Sequence, residues 1–67
     1  MRIKANGKDE QIHEKEITLL GYLERKGVRP ETVAVELNGA VLAKGEYAAA
    51  RLGEGDTLEI VKFVGGG

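Results

Sequence analysis

The sequence contains no cysteine. A chain without cysteine has no disulfide, no thiolate ligand for a metal and no thiol nucleophile of its own. Any sulfur chemistry in which this chain takes part must therefore use a sulfur atom that another molecule supplies.

Neither sign of charge dominates, because ten Lys and Arg residues stand against eleven Asp and Glu residues, for a formal net charge of −1. The basic residues are scattered from Arg2 to Lys62, which disfavours a nucleic-acid partner because such a partner needs a concentrated positive surface. No apolar run approaches the roughly 18 to 20 residues of a membrane span. The first residues, "MRIKANGK", lack the apolar stretch of a secretory signal. We expect no nucleic-acid partner, no membrane partner and a cytoplasmic location.

The length of 67 residues predicts one small domain. A domain of this size removes only about 60% of the surface that its unfolded chain exposes, so its core is compact and its stability modest. A large enclosed active site is therefore not expected.

The first third of the chain predicts a β-hairpin. Met1, Ile3 and Ala5 alternate with two basic residues, which is the pattern of a strand with one buried face. The pair Asn6-Gly7 follows, and both residues tolerate the positive φ angles of a type I′ turn. We expect the return strand around Ile12, within "EQIHE".

A helix is predicted over residues 18–26. Thr18 is a suitable N-cap, and Gly27 supplies the left-handed residue after the last turn. Three apolar residues with helical spacing form a single stripe: Leu19, Tyr22 and Leu23. Gly21 is expected opposite that stripe, where it costs about 1 kcal/mol relative to Ala and has no evident packing role.

The remaining sequence predicts three more strands. Residues 33–37 alternate in polarity, and Asn38-Gly39 turns the chain into an apolar segment at 41–42. Residues 45–52 predict a short helical turn with Tyr47 and Leu52 buried, and residues 53–56 a turn. In the last predicted strand, 57–64, Leu58 and Ile60 share one face, and Glu59, Val61 and Phe63 lie on the opposite face.

The element order β-β-α-β-β-β, with the last strand apolar enough to be central, predicts an α+β domain. The economical arrangement lays the last strand parallel to the first, beneath the helix. This is the β-grasp or ubiquitin-like fold, a mixed sheet with one main helix packed across one face. We expect the domain to cover residues 1–64 and a flexible C-terminal glycine tail to cover residues 65–67.

No constellation of residues in the sequence predicts catalysis or metal binding. His13 is the single histidine and has no partner for a triad or a metal site. The acidic residues lack the spacing of a calcium loop, and "GEGDTLE" lacks the Lys and Ser or Thr of a phosphate-binding loop. We therefore expect a protein that is not an enzyme and holds no metal and no permanent cofactor.

The glycine run Gly65-Gly66-Gly67 is the most informative segment. Residues without a Cβ can pass through a channel too narrow for any side chain and present a carboxylate inside a partner. An ionised carboxylate is a poor electrophile, so a partner must activate the carboxylate of Gly67, most simply as an acyl-adenylate formed with Mg-ATP. The competing interpretation is an idle, disordered end. The direct attachment to a predicted central strand favours the first.

Three apolar residues precede the glycines, namely Val61, Phe63 and Val64. If the sheet face opposite the helix is uncovered, they form an apolar patch suited to partner docking. The alternative is that Phe63 completes the core, and the two interpretations carry equal weight in the sequence.

The whole chain resembles the sulfur carrier protein of thiamin biosynthesis, the ThiS family. The resemblance rests on the early "NG" turn, on "TLLGYLERKGV" as the helix, and most specifically on "EGDTLEIVKFVGGG". Gly65 is an additional glycine before the obligatory Gly66-Gly67 pair.

The resemblance implies a reaction cycle with three partners. A ubiquitin-activating-like adenylyltransferase uses Mg-ATP to adenylate Gly67, and sulfur from a cysteine desulfurase persulfide replaces AMP to give a thiocarboxylate. Thiazole synthase then takes the sulfur. Two other functions stay open at this point: a ubiquitin-like modifier conjugated through Gly67, and a sulfur carrier for another cofactor such as molybdopterin. A third interpretation is a β-grasp binding module with an idle tail.

Overall fold

A computed structural model describes residues 1–63 of the chain. These residues form a helix, seven strands and two short 3₁₀ turns at Pro30–Thr32 and Lys44–Glu46. The helix, α1, covers Leu19–Arg25. The strands are β1 Arg2–Ala5, β2 Lys8–Gln11, β3 Ile17–Thr18, β4 Val33–Leu37, β5 Ala40–Leu42, β6 Arg51–Leu52 and β7 Thr57–Lys62.

The main sheet has five strands in the order β2-β1-β7-β4-β5. The last strand is central, as predicted, and it pairs in parallel with β1 and antiparallel with β4. The sheet is therefore mixed, and the predicted β-grasp architecture is confirmed. The last strand ends at Lys62 within the described residues, and the predicted boundary between a domain at 1–64 and a tail at 65–67 lies outside them.

Two Asn-Gly turns close the hairpins of this sheet. Asn6 and Gly7 have φ angles of 50° and 80°, and Asn38 and Gly39 have φ angles of 52° and 86°. Positive φ at both positions is what a type I′ turn requires, so both turn predictions are confirmed. The return strand of the first hairpin is Lys8–Gln11, earlier than predicted, and Ile12 follows it as a buried residue. Its polar sequence carries no alternating pattern by which it could be recognised.

Helix α1 is capped at both ends, as predicted. The Gly21 N–H donates to Thr18 Oγ1 at 3.0 Å, which satisfies one free donor of the first turn. At the other end, Gly27 has a φ angle of 73°, and the Gly27 and Val28 N–H groups bond back to Glu24 and Leu23. These two bonds form a Schellman motif.

Gly21 has a packing role that its position on the helix does not suggest. A Cβ at Gly21 would lie 3.3 Å from Thr18 Oγ1 and 3.4 Å from Ile17 Cγ1, which is tighter than an ordinary contact. The residue therefore leaves room for the N-cap hydroxyl and for the side chain before it.

A second, two-stranded ladder joins β3 to β6, with Ile17 opposite Leu52. Neither this ladder nor the turn at Pro30–Thr32 is predicted by the sequence pattern, because segments of two or three residues are too short to show a period. The predicted short helical turn within 45–52 is observed as the 3₁₀ turn at Lys44–Glu46. Tyr47 and Leu52 are buried, as expected.

The core lies between α1 and the inner face of the sheet. The helix, the strands and the connecting segments all contribute apolar side chains to it, and no polar or charged residue within 1–63 is buried. Its members are Ile3, Ala5, Ile12, Leu19, Tyr22, Leu23, Val33, Val35, Tyr47, Leu52 and Leu58. No helix in the described part of the chain is long and apolar enough to cross a membrane.

Candidate functional site

Two apolar residues shortly before the glycine run, Val61 and Phe63, lie on the outer face of the sheet, away from the helix. Leu58 is fully buried on the inner face of β7, whereas Val61 is 61% exposed and Phe63 is 56% exposed. Phe63 therefore does not complete the core, and the uncovered face carries both apolar side chains. Four predicted site residues lie outside the described residues: Val64, Gly65, Gly66 and Gly67.

The end of β7 is anchored by the segment that precedes β4. The Phe63 N–H donates to the carbonyl oxygen of Thr32 at 2.9 Å. The Lys44 Nζ lies 5.3 Å from the centroid of the Phe63 ring, within the range of a cation–π interaction, and donates to the carbonyl oxygen of Glu31 at 3.0 Å. Phe63 is thus held through both its backbone and its ring.

The charges at this anchor are compensated. A backbone hydrogen bond within Glu31 lowers the pKa of its carboxyl group, and the nearby Arg29 and Lys44 lower it further. Arg29 Nε lies 3.1 Å from Glu31 Oε2. The carboxylate therefore stays ionised at neutral pH beside the segment that holds Phe63.

Both turn asparagines also bind the central strand, which the sequence analysis did not predict. Asn6 Oδ1 accepts from the Ile60 N–H at 2.7 Å, and Asn6 Nδ2 donates to the Ile60 carbonyl oxygen at 3.2 Å. Asn38 Oδ1 accepts from the Thr57 N–H at 2.9 Å. The two turns thus hold β7 near its start and near its middle. These bonds could have been suspected from the sequence, because each of the two predicted Asn-Gly turns begins with an asparagine whose amide can reach a neighbouring strand.

A shallow groove of about 270 Å³ opens on the helix side of the sheet, beside the end of β7. Val28, Val33 and Ile60 line it together with Arg29 and Lys62. Its lining includes no carboxylate and no imidazole, so it offers no pair of groups for acid–base catalysis.

The other candidate side chains do not converge into a site within the described residues. His13 is exposed. Residues 1–63 contain no group of three or more His, Asp or Glu side chains that could hold a metal ion.

Comparisons with known proteins agree over the whole chain. The model of the ThiS family matches residues 1–67. The crystal structure of a thiamine biosynthesis protein (ThiS) from Geobacter metallireducens superposes with a TM-score of 0.87 at 33% identity, with 100% of both chains covered. The sulfur carrier protein ThiS of Bacillus subtilis is 34% identical over 65 residues, which are 97% of this chain and 98% of that protein.

The chain is also similar to part of a larger protein. The thiazole synthase of Magnetococcus marinus is 46% identical over 67 residues, which are 100% of this chain and 20% of the synthase. The chain thus spans one fifth of the length of that relative.

A mixed sheet with a central last strand and one capped helix packed across it places the described domain in the class of ubiquitin-like β-grasp proteins. Within that class, this chain belongs to the ThiS family. Of the two relatives that this chain matches over nearly their full length, the Bacillus subtilis protein is a sulfur carrier protein and the Geobacter metallireducens protein is a thiamine biosynthesis protein.

Proposed function

We propose that this chain carries sulfur for thiamin biosynthesis on the carboxyl group of Gly67. The observation that supports the proposal best is the direct sequence of a central strand, an anchored Phe63 and a run of residues without side chains. Residues 64–67 separate Phe63 from the proposed reactive carboxyl group of Gly67, and a fully extended chain of four residues spans at most about 14 Å. That length suits a carboxylate that must enter a narrow active site while the domain stays outside.

Activation of Gly67 is the first step of the proposed cycle. The Gly67 carboxylate attacks the α-phosphorus of Mg-ATP on a ubiquitin-activating-like adenylyltransferase, and pyrophosphate leaves. The acyl-adenylate converts a poor electrophile into a good one, which divides one difficult acyl transfer into two easier steps. The chain itself binds no permanent cofactor in this proposal, since the partner uses the Mg-ATP. Because the cycle consumes ATP, we expect it to take place in the cytoplasm.

Sulfur transfer is the second step. The terminal sulfur of a persulfide, supplied by a cysteine desulfurase, attacks the Gly67 carbonyl carbon and displaces AMP. A thiol reductant then cleaves the resulting acyl disulfide and releases the thiocarboxylate. The chain has no cysteine that could compete in thiol–disulfide exchange at this stage.

Thiazole synthase is the proposed acceptor of the sulfur. The similarity of the whole chain to one fifth of the Magnetococcus marinus thiazole synthase supports this partner, because that enzyme contains a region like this domain in the same polypeptide. The chain is a cosubstrate in this cycle: when the carbon–sulfur bond at Gly67 breaks, an oxygen atom from water or from the acceptor molecule bonds to the carbonyl carbon, so Gly67 is again a carboxylate.

The proposal is tested by intact-mass analysis. Incubation with the adenylyltransferase, Mg-ATP, the desulfurase and a thiol reductant is expected to increase the mass by the difference between sulfur and oxygen. Deletion of Gly66 and Gly67 should abolish the change. Gly66→Ala keeps the carboxylate but adds a Cβ, and we expect it to slow the reaction at least tenfold if the tail enters a narrow channel.

The same spectra separate the alternatives. Species of high mass with an isopeptide at Gly67 would indicate a protein modifier instead. An unchanged mass, with an adenylyltransferase that activates another carrier, would refute the proposal.

Partner docking through Val61, Phe63 and Val64 is part of the proposal. Val61 and Phe63 are both more than half exposed on the uncovered face. Because a well-packed aromatic side chain contributes strongly to an interface, we expect Phe63→Ala to raise the Kd for the adenylyltransferase about tenfold or more. Unchanged binding by a normally folded variant would exclude this role for Phe63.

A further inference from the structure

Lys44 is exposed, but the turn that carries it is fixed to the core. It is the first residue of the second 3₁₀ turn, and the Tyr47 N–H donates to its carbonyl oxygen at 3.2 Å. The Ala43 N–H closes the same turn by donating to Glu46 Oε1 at 2.7 Å. Tyr47 is buried, and its hydroxyl group donates to the Val33 carbonyl oxygen at 3.3 Å. The backbone of Lys44 therefore has a fixed position relative to the sheet.

The ammonium group of Lys44 reaches the end of the central strand. Its Nζ donates to the Glu31 carbonyl oxygen at 3.0 Å and lies 5.3 Å from the centroid of the Phe63 ring. Glu31 belongs to the first 3₁₀ turn, in which the Thr32 carbonyl oxygen accepts from the Phe63 N–H at 2.9 Å. One ammonium group thus connects three segments of the chain: the two 3₁₀ turns and the residue that follows β7.

The Phe63 ring depends on this contact because the core does not hold it. The side chain is 56% exposed, and an aromatic ring with few neighbours can occupy more than one χ1 rotamer. A cation within about 6 Å of the ring centroid is attracted to the negative face of the ring and favours the rotamer that allows the contact. An apolar neighbour would hold the ring by covering it, whereas the hydrated ammonium group of Lys44 holds a ring that stays more than half exposed.

We propose that Lys44 is a positioning residue, which holds the Phe63 ring in the rotamer that the adenylyltransferase binds. The inference rests on the proposed function, in which Phe63 docks on that enzyme, and it adds the residue that prepares Phe63 for docking. The apparent affinity of a partner falls with the fraction of the free protein that has the binding-competent conformation. A ring that is ordered before the encounter removes this cost, and Lys44 itself needs no contact with the enzyme.

NMR of the free chain tests the contact itself. We expect the ring current of Phe63 to shift the ε-methylene protons of Lys44 upfield, and this shift should disappear in Phe63→Ala. Scalar couplings should show one χ1 rotamer for Phe63 in the original chain. They should show an average of rotamers in Lys44→Met, which keeps an unbranched side chain and removes the ammonium group. A Phe63 side chain that already averages its rotamers in the original chain would overturn the proposal.

A double-mutant cycle with the purified adenylyltransferase separates positioning from direct contact. Lys44→Met should raise the Kd about two- to fivefold, which is the effect of losing an exposed cation–π interaction. Lys44→Arg keeps a cation that can lie over the ring and should restore most of the affinity. In a chain that already carries Phe63→Ala, Lys44→Met should have no further effect on the Kd.

Lys15→Met is the matched control, because it removes the same charge from another exposed position. Lys15 takes part in none of the ion pairs or cation–π contacts found within residues 1–63. The Kd of Lys15→Met should equal that of the original chain. Thermal unfolding establishes that each variant is folded at the temperature of the binding assay.

Two binding results would overturn the proposal. One is a Lys44→Met chain with the Kd of the original chain. The other is an equal loss of affinity from Lys44→Met with and without the Phe63 ring, which would mean that Lys44 contacts the enzyme directly. Unchanged binding by Phe63→Ala would instead refute the docking part of the proposed function, and this inference with it. The mass assay reports on the carrier function separately, because it follows the carboxyl group of Gly67 in chains that retain Lys44.

Discussion

Asn6 and Asn38 each combine a turn conformation with hydrogen bonds to the central strand. Asparagine tolerates positive φ better than most residues, and its short amide reaches a neighbouring backbone. The Asn6 amide bonds to both the N–H and the carbonyl oxygen of Ile60, as a strand residue would. The parallel pairing of β1 with β7 is thereby extended past the end of β1.

Asn6→Gly tests the side-chain bonds separately from the turn, because glycine also adopts the φ angle of 50° found at this position. With about 1 kcal/mol per hydrogen bond, we expect a loss of about 1 to 2 kcal/mol in the free energy of unfolding. Urea denaturation measures the loss, and amide hydrogen exchange should show that the Ile60 N–H loses its protection.

Asn38→Gly is the matched control, since it makes the same change in the other turn. It should expose the Thr57 N–H to exchange and leave the Ile60 N–H protected. Protection of Ile60 that survives in Asn6→Gly would contradict the role assigned to Asn6.

At the scale of elements, the helix is tied to the edge strand β2 by a polar link. The Tyr22 hydroxyl donates to Glu10 Oε1 at 3.0 Å, and Lys26 Nζ lies 2.9 Å from Glu10 Oε2. The hydrogen bond from Lys26 is the main cause that lowers the pKa of Glu10, and burial is the main cause that raises the pKa of Tyr22 to about 12. The ionised carboxylate and the neutral phenol therefore stabilise the folded state together.

This link predicts an acid dependence of stability. Because the pKa of Glu10 is lower in the folded state, its contribution is fully present above its unfolded pKa and is lost as the pH falls through the folded pKa. Glu10→Gln should therefore make the free energy of unfolding fall less steeply from about pH 5 to about pH 3. Glu24→Gln, exposed on the same helix, should retain the slope of the original chain in the same urea titrations. Equal slopes for Glu10→Gln and Glu24→Gln would show that the link does not carry the effect.

The sequence predicted those helices and strands whose apolar residues recur at a regular spacing or whose end residues are typical of a helix cap or a turn. Leu58 and Ile60 lie on one face of β7 and Val61 on the other, and this alternation predicted both the strand and the position of Val61 on the opposite face. Thr18 and Gly27 predicted the two ends of the helix. The ladder between β3 and β6 was not predictable, because two residues show no period. The bonds from Asn6 to Ile60 join residues 54 positions apart and depend on the register of β7. The contact between Lys44 and Phe63 likewise depends on how the folded chain brings distant segments together.

At the scale of the whole molecule, β7 has one face buried in the core and one exposed face, to which the proposed function assigns partner binding. Leu58 is fully buried within the core, whereas Val61 is 61% exposed on the other side of the same strand. A substitution on the exposed face can therefore leave the packing of the core unchanged.

Leu58→Ala and Val61→Thr test the different roles of the two faces. We expect Leu58→Ala to cost about 2 to 5 kcal/mol. This is a large part of the roughly 3 to 10 kcal/mol expected for a domain of this size. Val61→Thr should change the free energy of unfolding by less than about 0.5 kcal/mol and still weaken partner binding. Thermal and urea unfolding measure the change in the free energy of unfolding for both variants. A Val61→Thr variant that is as unstable as Leu58→Ala would contradict the assignment of stability to the buried face of β7.

The position of β7 in the sheet also determines when the domain can fold during translation. Strands β1 and β4 both pair with β7 and are not adjacent to each other, so neither has its central neighbour until residue 62 has left the ribosome. Pairing between the first and last strands is the most distant contact in sequence that the sheet contains, and such contacts slow folding. Nascent chains that stop short of β7 therefore lack the strand that completes the sheet, and β1 and β4 keep unpaired backbone edges until it is made.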